Sequence, residues 1–161
     1  MAGFLAVQGA VSALDYLAGR STALDAEWLA KAQGGDPLPR ATYLMLLTQA
    51  VADGQTDMPT LLGIEAAGTG YARQPIPWSA ASIGTRSATT SDLVQFGPFS
   101  DAAGLVAPVT GAALVTRMTS LAGQPTGLCL MAWNLDNPIT TSQNQALQLA
   151  AGSLTMTLAV S

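Results

Sequence analysis

The chain reads as an α+β protein, with N-terminal helical segments packed on an antiparallel β-sandwich or barrel-like domain. Three observations predict this. An alanine-rich first stretch sets apolar residues three and four positions apart. After Gly68, turn residues recur about every eight to twelve positions, the spacing of sandwiches and barrels. Near the end, Leu154, Met156, Leu158 and Val160 alternate with Ser153, Thr155, Thr157 and Ala159, which gives one apolar and one polar face. We divide the chain into a helical arm, residues 1–40, and a β-rich domain, residues 41–161, joined in one compact unit.

Residues 1–18 read as a helix. Phe4, Val7, Val11 and Leu14 fall on one face, and Gly19 followed by Arg20 is a stop signal. That face packs either on the chain's own sheet or, with the helix covered on both sides, on a second subunit. Ser21 or Thr22 caps a second helix over residues 23–32, with Asp25 and Glu27 near its positive end. Gly34-Gly35-Asp36-Pro37 ends it. Residues 42–48 are apolar between turn signals, so they form a buried strand or a helix piece, and Tyr43 and Thr48 favour strand. Residues 59–64 fit one helical turn. Further strands are expected over residues 72–79, 91–96, 112–120, 128–134, 146–150 and 154–160. Ala151-Gly152 joins the last two in a C-terminal hairpin. Residues 98–111 read as a long loop, either functional or held by a neighbour.

Composition narrows the function. Only 10% of the 161 residues are charged while 49% are hydrophobic, against a usual charged share of about 25%. Surfaces this poor in charge are expected to be covered by partners. The net charge of −4, with six scattered basic residues, excludes a nucleic-acid binder of the basic-patch kind. No histidine is present, which removes Ser-His and Cys-His nucleophiles and histidine metal sites. The single cysteine, Cys129, sits in an apolar run and reads as a small buried hydrophobe. Asp53-Gly54-Gln55-Thr56-Asp57 opens like a calcium loop, but Met58 stands where the turn needs Gly and Ile64 where a bidentate Glu is required. The apolar start, interrupted by Asp15 and preceded by no basic leader, is too short to span a bilayer. The expectation is no catalytic residue, no cofactor, no metal and no membrane.

The chain is organised around Gly68-Thr69-Gly70-Tyr71-Ala72-Arg73-Gln74-Pro75-Ile76-Pro77-Trp78. Its glycines permit tight turns and its prolines impose an extended path. We expect it to be the first strand of the β-structure, anchored by Tyr71, Ile76 and Trp78. Arg73 is read as pairing with a neighbouring backbone group or acid to fix a register. Phe4, Val7, Val11, Tyr71, Arg73 and Trp78 are the candidate interface or register residues.

At Gly70-Tyr71-Ala72-Arg73-Gln74 the sequence resembles a family of small tailed-bacteriophage virion proteins, often labelled tail fibre or minor structural protein. The likeness runs on through Leu14-Asp15-Tyr16-Leu17-Ala18-Gly19, Tyr43-Leu44-Met45-Leu46-Leu47-Thr48, the strand at residues 128–133 and the ending from Ala150 to Leu158. The resemblance implies a structural, non-enzymatic role in a virion. Small size, low charge and an apolar arm then favour a capsid decoration subunit that clamps the major capsid protein. A tail fibre or baseplate subunit is the alternative, and a carbohydrate-binding or degrading module a second one. A homo-oligomer, a trimer for a shell position, is expected.

Overall fold

The computed structural model describes residues 3–5, 7–18, 20–35, 40–52, 54–81, 87–102, 104–118 and 127–157. Short helices precede and flank a set of antiparallel sheets, and among the described residues no sheet closes into a barrel. The α+β expectation holds in its mixed form: an open sheet with ribbons against it.

The centre is a five-stranded sheet ordered β1-β7-β6-β2-β3: β1 (Gly3–Leu5), β7 (Cys129–Ile139), β6 (Val109–Val115), β2 (Tyr43–Leu47) and β3 (Gln74–Pro75). All its pairings are antiparallel. Strand β2 explains its own unbroken apolar run. Successive side chains of a strand point to opposite faces, and every residue of β2 is buried. Leu44 and Leu46 enter one core with Phe96, Phe99, Leu114 and Trp133. Tyr43, Met45 and Leu47 enter another with Met58, Leu61, Val115 and Cys129. A strand covered on both faces needs apolar residues at every position.

Helix α3 (Met58–Gly63) supplies Met58 and Leu61 to the second core. Asp57 caps it, its carboxylate accepting from the Thr60 amide at 2.9 Å. The residue that opened the failed calcium pattern, Asp53, lies outside the described residues. Helix α2 (Ala23–Gln33) starts at Thr22, whose hydroxyl accepts from the Asp25 amide while Asp25 accepts from the Thr22 amide. This reciprocal cap is what the Thr-x-x-Asp spacing allows.

Two ribbons complete the fold. Strand β5 (Val94–Phe96) pairs with β8 (Leu147–Leu149), and β4 (Ser87–Thr89) pairs with β9 (Thr155–Thr157). The expected C-terminal hairpin is therefore wrong: β8 and β9 each pair elsewhere. Cross-strand packing decides it, since Val94 faces Leu149 and Phe96 faces Leu147. The turn between β8 and β9 instead carries Leu154 into the first core, where its carbonyl accepts from the Thr90 amide at 3.0 Å. Strand β4 was not anticipated.

The N-terminal stretch also differs from the expected single helix. Residues 3–5 form β1, in register Phe4 to Ala132 on β7, and helix α1 (Val7–Leu17) follows. Without β1 that edge of β7 would present unpaired backbone groups. The 68–78 segment is not the first strand but contributes only β3, two residues at the opposite edge. Pro75 has no amide to donate, which confines it to an edge. The loop at residues 98–111 is shorter than expected, because β6 begins at Val109. It is held from within: Phe99 and Leu105 are buried, and the Leu105 amide donates to Thr141 Oγ1 at 2.7 Å.

Candidate functional site

The 68–78 segment turns before it extends. Gly70 has φ +93°, and a Cβ there would lie 2.4 Å from the Pro98 carbonyl oxygen. Only glycine meets both conditions. The turn closes through Tyr71 N–H to Gly68 O at 3.0 Å, and is tied to the 98–101 strap by Ser100 N–H to Thr69 O and Thr69 N–H to Asp101. These bonds from Thr69 to the Asp101 carboxylate hold its pKa below the usual carboxylate value.

The turn aims Tyr71 and Arg73 inward at one acid, Glu65. Arg73 Nε and Nη2 donate to the two oxygens of Glu65 at 2.7 and 2.6 Å, a bidentate pair. The Tyr71 hydroxyl donates to Glu65 Oε1 at 3.1 Å and accepts from the Leu46 amide at 3.1 Å. That last bond matters to the sheet. Strand β3 pairs only with Tyr43 and Leu44, so β2 runs past its neighbour. The Tyr71 hydroxyl and the Ala66 amide, which donates to Leu46 O, complete the edge. Tyr71 also stacks on Phe96, ring centroids 6.2 Å apart. Burial is the main reason its phenol pKa is driven far above the ordinary value, with the Glu65 charge adding to the effect.

Arg73 is 2% exposed and links this cluster to a second one. Its Nη1 donates to the Arg117 carbonyl at 3.0 Å. The Arg117 guanidinium in turn pairs through Nε and Nη2 with both oxygens of Glu27 on α2. Thr116 Oγ1 donates to Glu27 as well, and Lys31 of α2 donates to the Thr116 carbonyl at 2.8 Å. Two buried ion pairs thus meet at the end of β6 and lock α2 against the sheet.

Of the six candidate residues, Tyr71 and Arg73 are brought together on Glu65. Trp78 goes elsewhere, its indole N–H donating to Thr42 Oγ1 at 3.0 Å. Phe4 lies in β1 and Val7 opens α1, their side chains being outside those described. Val11 is half exposed. Sequence reasoning missed the partners Glu27, Glu65 and Arg117 as a group. Glu27 and Arg117 are 90 residues apart, and no spacing rule connects them.

Helix α1 carries a second feature. Gly9 lies against β7, where an added Cβ would lie 2.5 Å from the Leu130 carbonyl oxygen, and Ser12 is buried. Two apolar residues of the helix point outward, Val11 at 50% and Leu14 at 67% exposure. Val11 and Leu14 therefore do not lie on the chain's own sheet.

Among the described residues no three carboxylate or cysteine side chains gather in a way that could hold a metal ion. Among those residues no helix is long and apolar enough to cross a membrane. Cys129 is fully buried, and burial pushes its thiol pKa up to about 12. The cavity between the sheet and the β5–β8 ribbon is lined by Leu44, Leu46, Phe96, Trp133, Leu147 and Leu149 and is apolar.

No curated protein matches the chain. A family model described as podophage GP4 fiber I protein gp80 matches residues 19–157, which takes in α2, both ion pairs and all the strands after β1. By that match over most of its length, the chain belongs to the podophage GP4 fiber I protein family, and it is a structural component of a bacteriophage virion.

Proposed function

We propose that this protein is a non-enzymatic subunit of a podophage tail fibre, acting through protein–protein contacts. The observation that carries the reading is the fibre-family match over residues 19–157. It moves the assignment from the capsid decoration favoured on composition to the tail-fibre alternative. The geometry supports a scaffold: the polar groups of the Tyr71-Ala72-Arg73 segment are turned inward and join α2 to the sheet. Large apolar residues meanwhile remain on the outside of α1. Its partners are other tail proteins and further copies of itself.

A particle reconstruction tests this. The chain should account for density at the tail, in tens of copies or fewer. Hundreds of copies on the head would return the assignment to capsid decoration. Incubation of the purified protein with host polysaccharide should give neither retention nor cleavage, and either result would replace the scaffold reading.

A further inference from the structure

The space between the five-stranded sheet and the β5–β8 ribbon has a short floor under a full roof. On the floor, Ala112 of β6 stands in register between Leu46 of β2 and Trp133 of β7. Two residues along, the same face of β6 carries Leu114, a full-length side chain. Ala112 stops at Cβ. Its neighbour Gly111 has no room to be longer, because a Cβ there would lie 2.6 Å from the Trp133 carbonyl oxygen. The roof is the ribbon, with Phe96 of β5 and Leu147 and Leu149 of β8 turned toward the sheet. The short floor leaves a cavity of about 100 Å³.

We propose that this cavity is a binding site for one small, uncharged, apolar molecule, the size of benzene or of a xenon atom. Chemistry and size both select that guest. No Asp, Glu, Lys or Arg lines the cavity, so a charged ligand would find no counter-charge. The lining includes two residues with polar side-chain groups, Gln148 and Trp133. Gln148 alternates with Leu147 and Leu149, is exposed, and donates its amide to Gln95 Oε1 at 2.8 Å on the outer face of the ribbon. That leaves the indole N–H of Trp133, whereas a buried water needs about two to four polar partners. Water is therefore held poorly and apolar matter is favoured in its place. As for size, an apolar cavity of about 150 Å³ takes up benzene or xenon, which is the order found here.

Entry does not require the main sheet to open. The ribbon is a separate two-stranded sheet, so its movement breaks no bond of the five-stranded one. Ile139 borders the cavity and is 41% exposed, which marks the side nearest solvent. The site does not depend on where the chain sits in a virion.

Titration of the intact chain with xenon, and separately with benzene, tests this through the methyl resonances in nuclear magnetic resonance spectra. Saturable shifts are expected at Leu46, Leu147 and Leu149, and none at Leu61 in the second core. Phenol should bind at least about tenfold more weakly than benzene, because no side chain turned into the cavity accepts its O–H. Ala112→Leu should fill the floor and abolish the shifts with an unchanged circular dichroism spectrum. Ala112→Val, which adds less volume, should weaken binding and replaces the leucine variant if that one does not fold. Wild type without saturable shifts, shifts at Leu61 equal to those at the cavity, phenol binding as tightly as benzene, or binding unaltered by filling the floor would each overturn the proposal. All of these outcomes leave the tail location, judged by particle reconstruction, untouched.

Discussion

Arg73 donates from Nη1 to the main-chain carbonyl of Arg117, which ties the guanidinium of one arginine to the backbone of the other at the end of β6. Each guanidinium has its own glutamate, Glu65 for Arg73 and Glu27 for Arg117. The bond to this carbonyl turns two separate ion pairs into one chain of bonds. It runs from α2, across the sheet end, to the Tyr71 turn.

Removing one partner of the inner pair should be costly. Arg73→Ala leaves the Glu65 carboxylate, 18% exposed, without its main counter-charge and frees the Arg117 carbonyl. Loss of one member of a buried pair costs about 3–5 kcal/mol. Urea unfolding should show the midpoint falling with no change in slope. Arg73→Lys should recover little, because an ammonium cannot supply the bidentate fork and the third bond together.

Tyr71→Phe keeps the ring stacked near Phe96 but deletes the hydroxyl that serves Leu46 N–H and Glu65. A buried amide left without an acceptor costs about 1–3 kcal/mol. Amide exchange read by nuclear magnetic resonance should show Leu46 losing protection more than Leu44, which β3 still covers. Equal loss at both positions would mean that the hydroxyl has no local role in completing the edge.

Alkaline pH should destabilise the fold by a defined route. The folded Cys129 thiol pKa lies near 12 and its ordinary value is 9.0. The Tyr71 phenol is likewise raised above its ordinary value of 10.0. Both groups are neutral when protonated, so raised folded pKa values contribute stability that is complete below pH 9. Above that the unfolded chain loses its protons first, and stability falls as pH climbs toward the folded values. Unfolding free energy measured from pH 7 to 11 should be flat to about pH 9 and then decline. Cys129→Ser should move the onset to about pH 10, where Tyr71 begins to contribute.

The turn glycines should separate strain from crowding. Gly152→Ala, at φ +78° with open space around it, should cost only the left-handed backbone penalty of about 1–2 kcal/mol. Gly70→Ala meets a similar penalty and also drives a methyl into the Pro98 carbonyl. Its melting temperature should drop clearly further, and a drop equal to that of Gly152→Ala would show that the close approach is relieved without cost.

Much of the local structure was legible. Thr22 and Asp25 announce the start of α2 because a hydroxyl and a carboxylate three residues apart reach each other's amides. The apolar run at residues 42–48 fits a buried strand or a helix piece, with Tyr43 and Thr48 favouring the strand that forms over Tyr43–Leu47. Arg73 reads as pairing with a backbone group or an acid; it bonds both, the Arg117 carbonyl and Glu65, and no spacing names either one. The pairing of β8 and β9 was not readable. An Ala-Gly turn between two apolar runs suits a hairpin, and only cross-strand contacts with Val94 and Phe96 favour the other arrangement.

The sequence by itself determined the α+β class, the lack of histidine chemistry, the capped helices and the glycine-proline segment that must turn and then extend. Each depends on groups within a few residues of one another, or on composition alone. Tertiary structure decided which strands pair, that Glu27 and Arg117 meet, and that Val11 and Leu14 face outward while Gly9 and Ser12 face in. These are choices among partners distant along the chain. They follow from which combination buries apolar area and satisfies every backbone amide at once, a condition that no local spacing encodes.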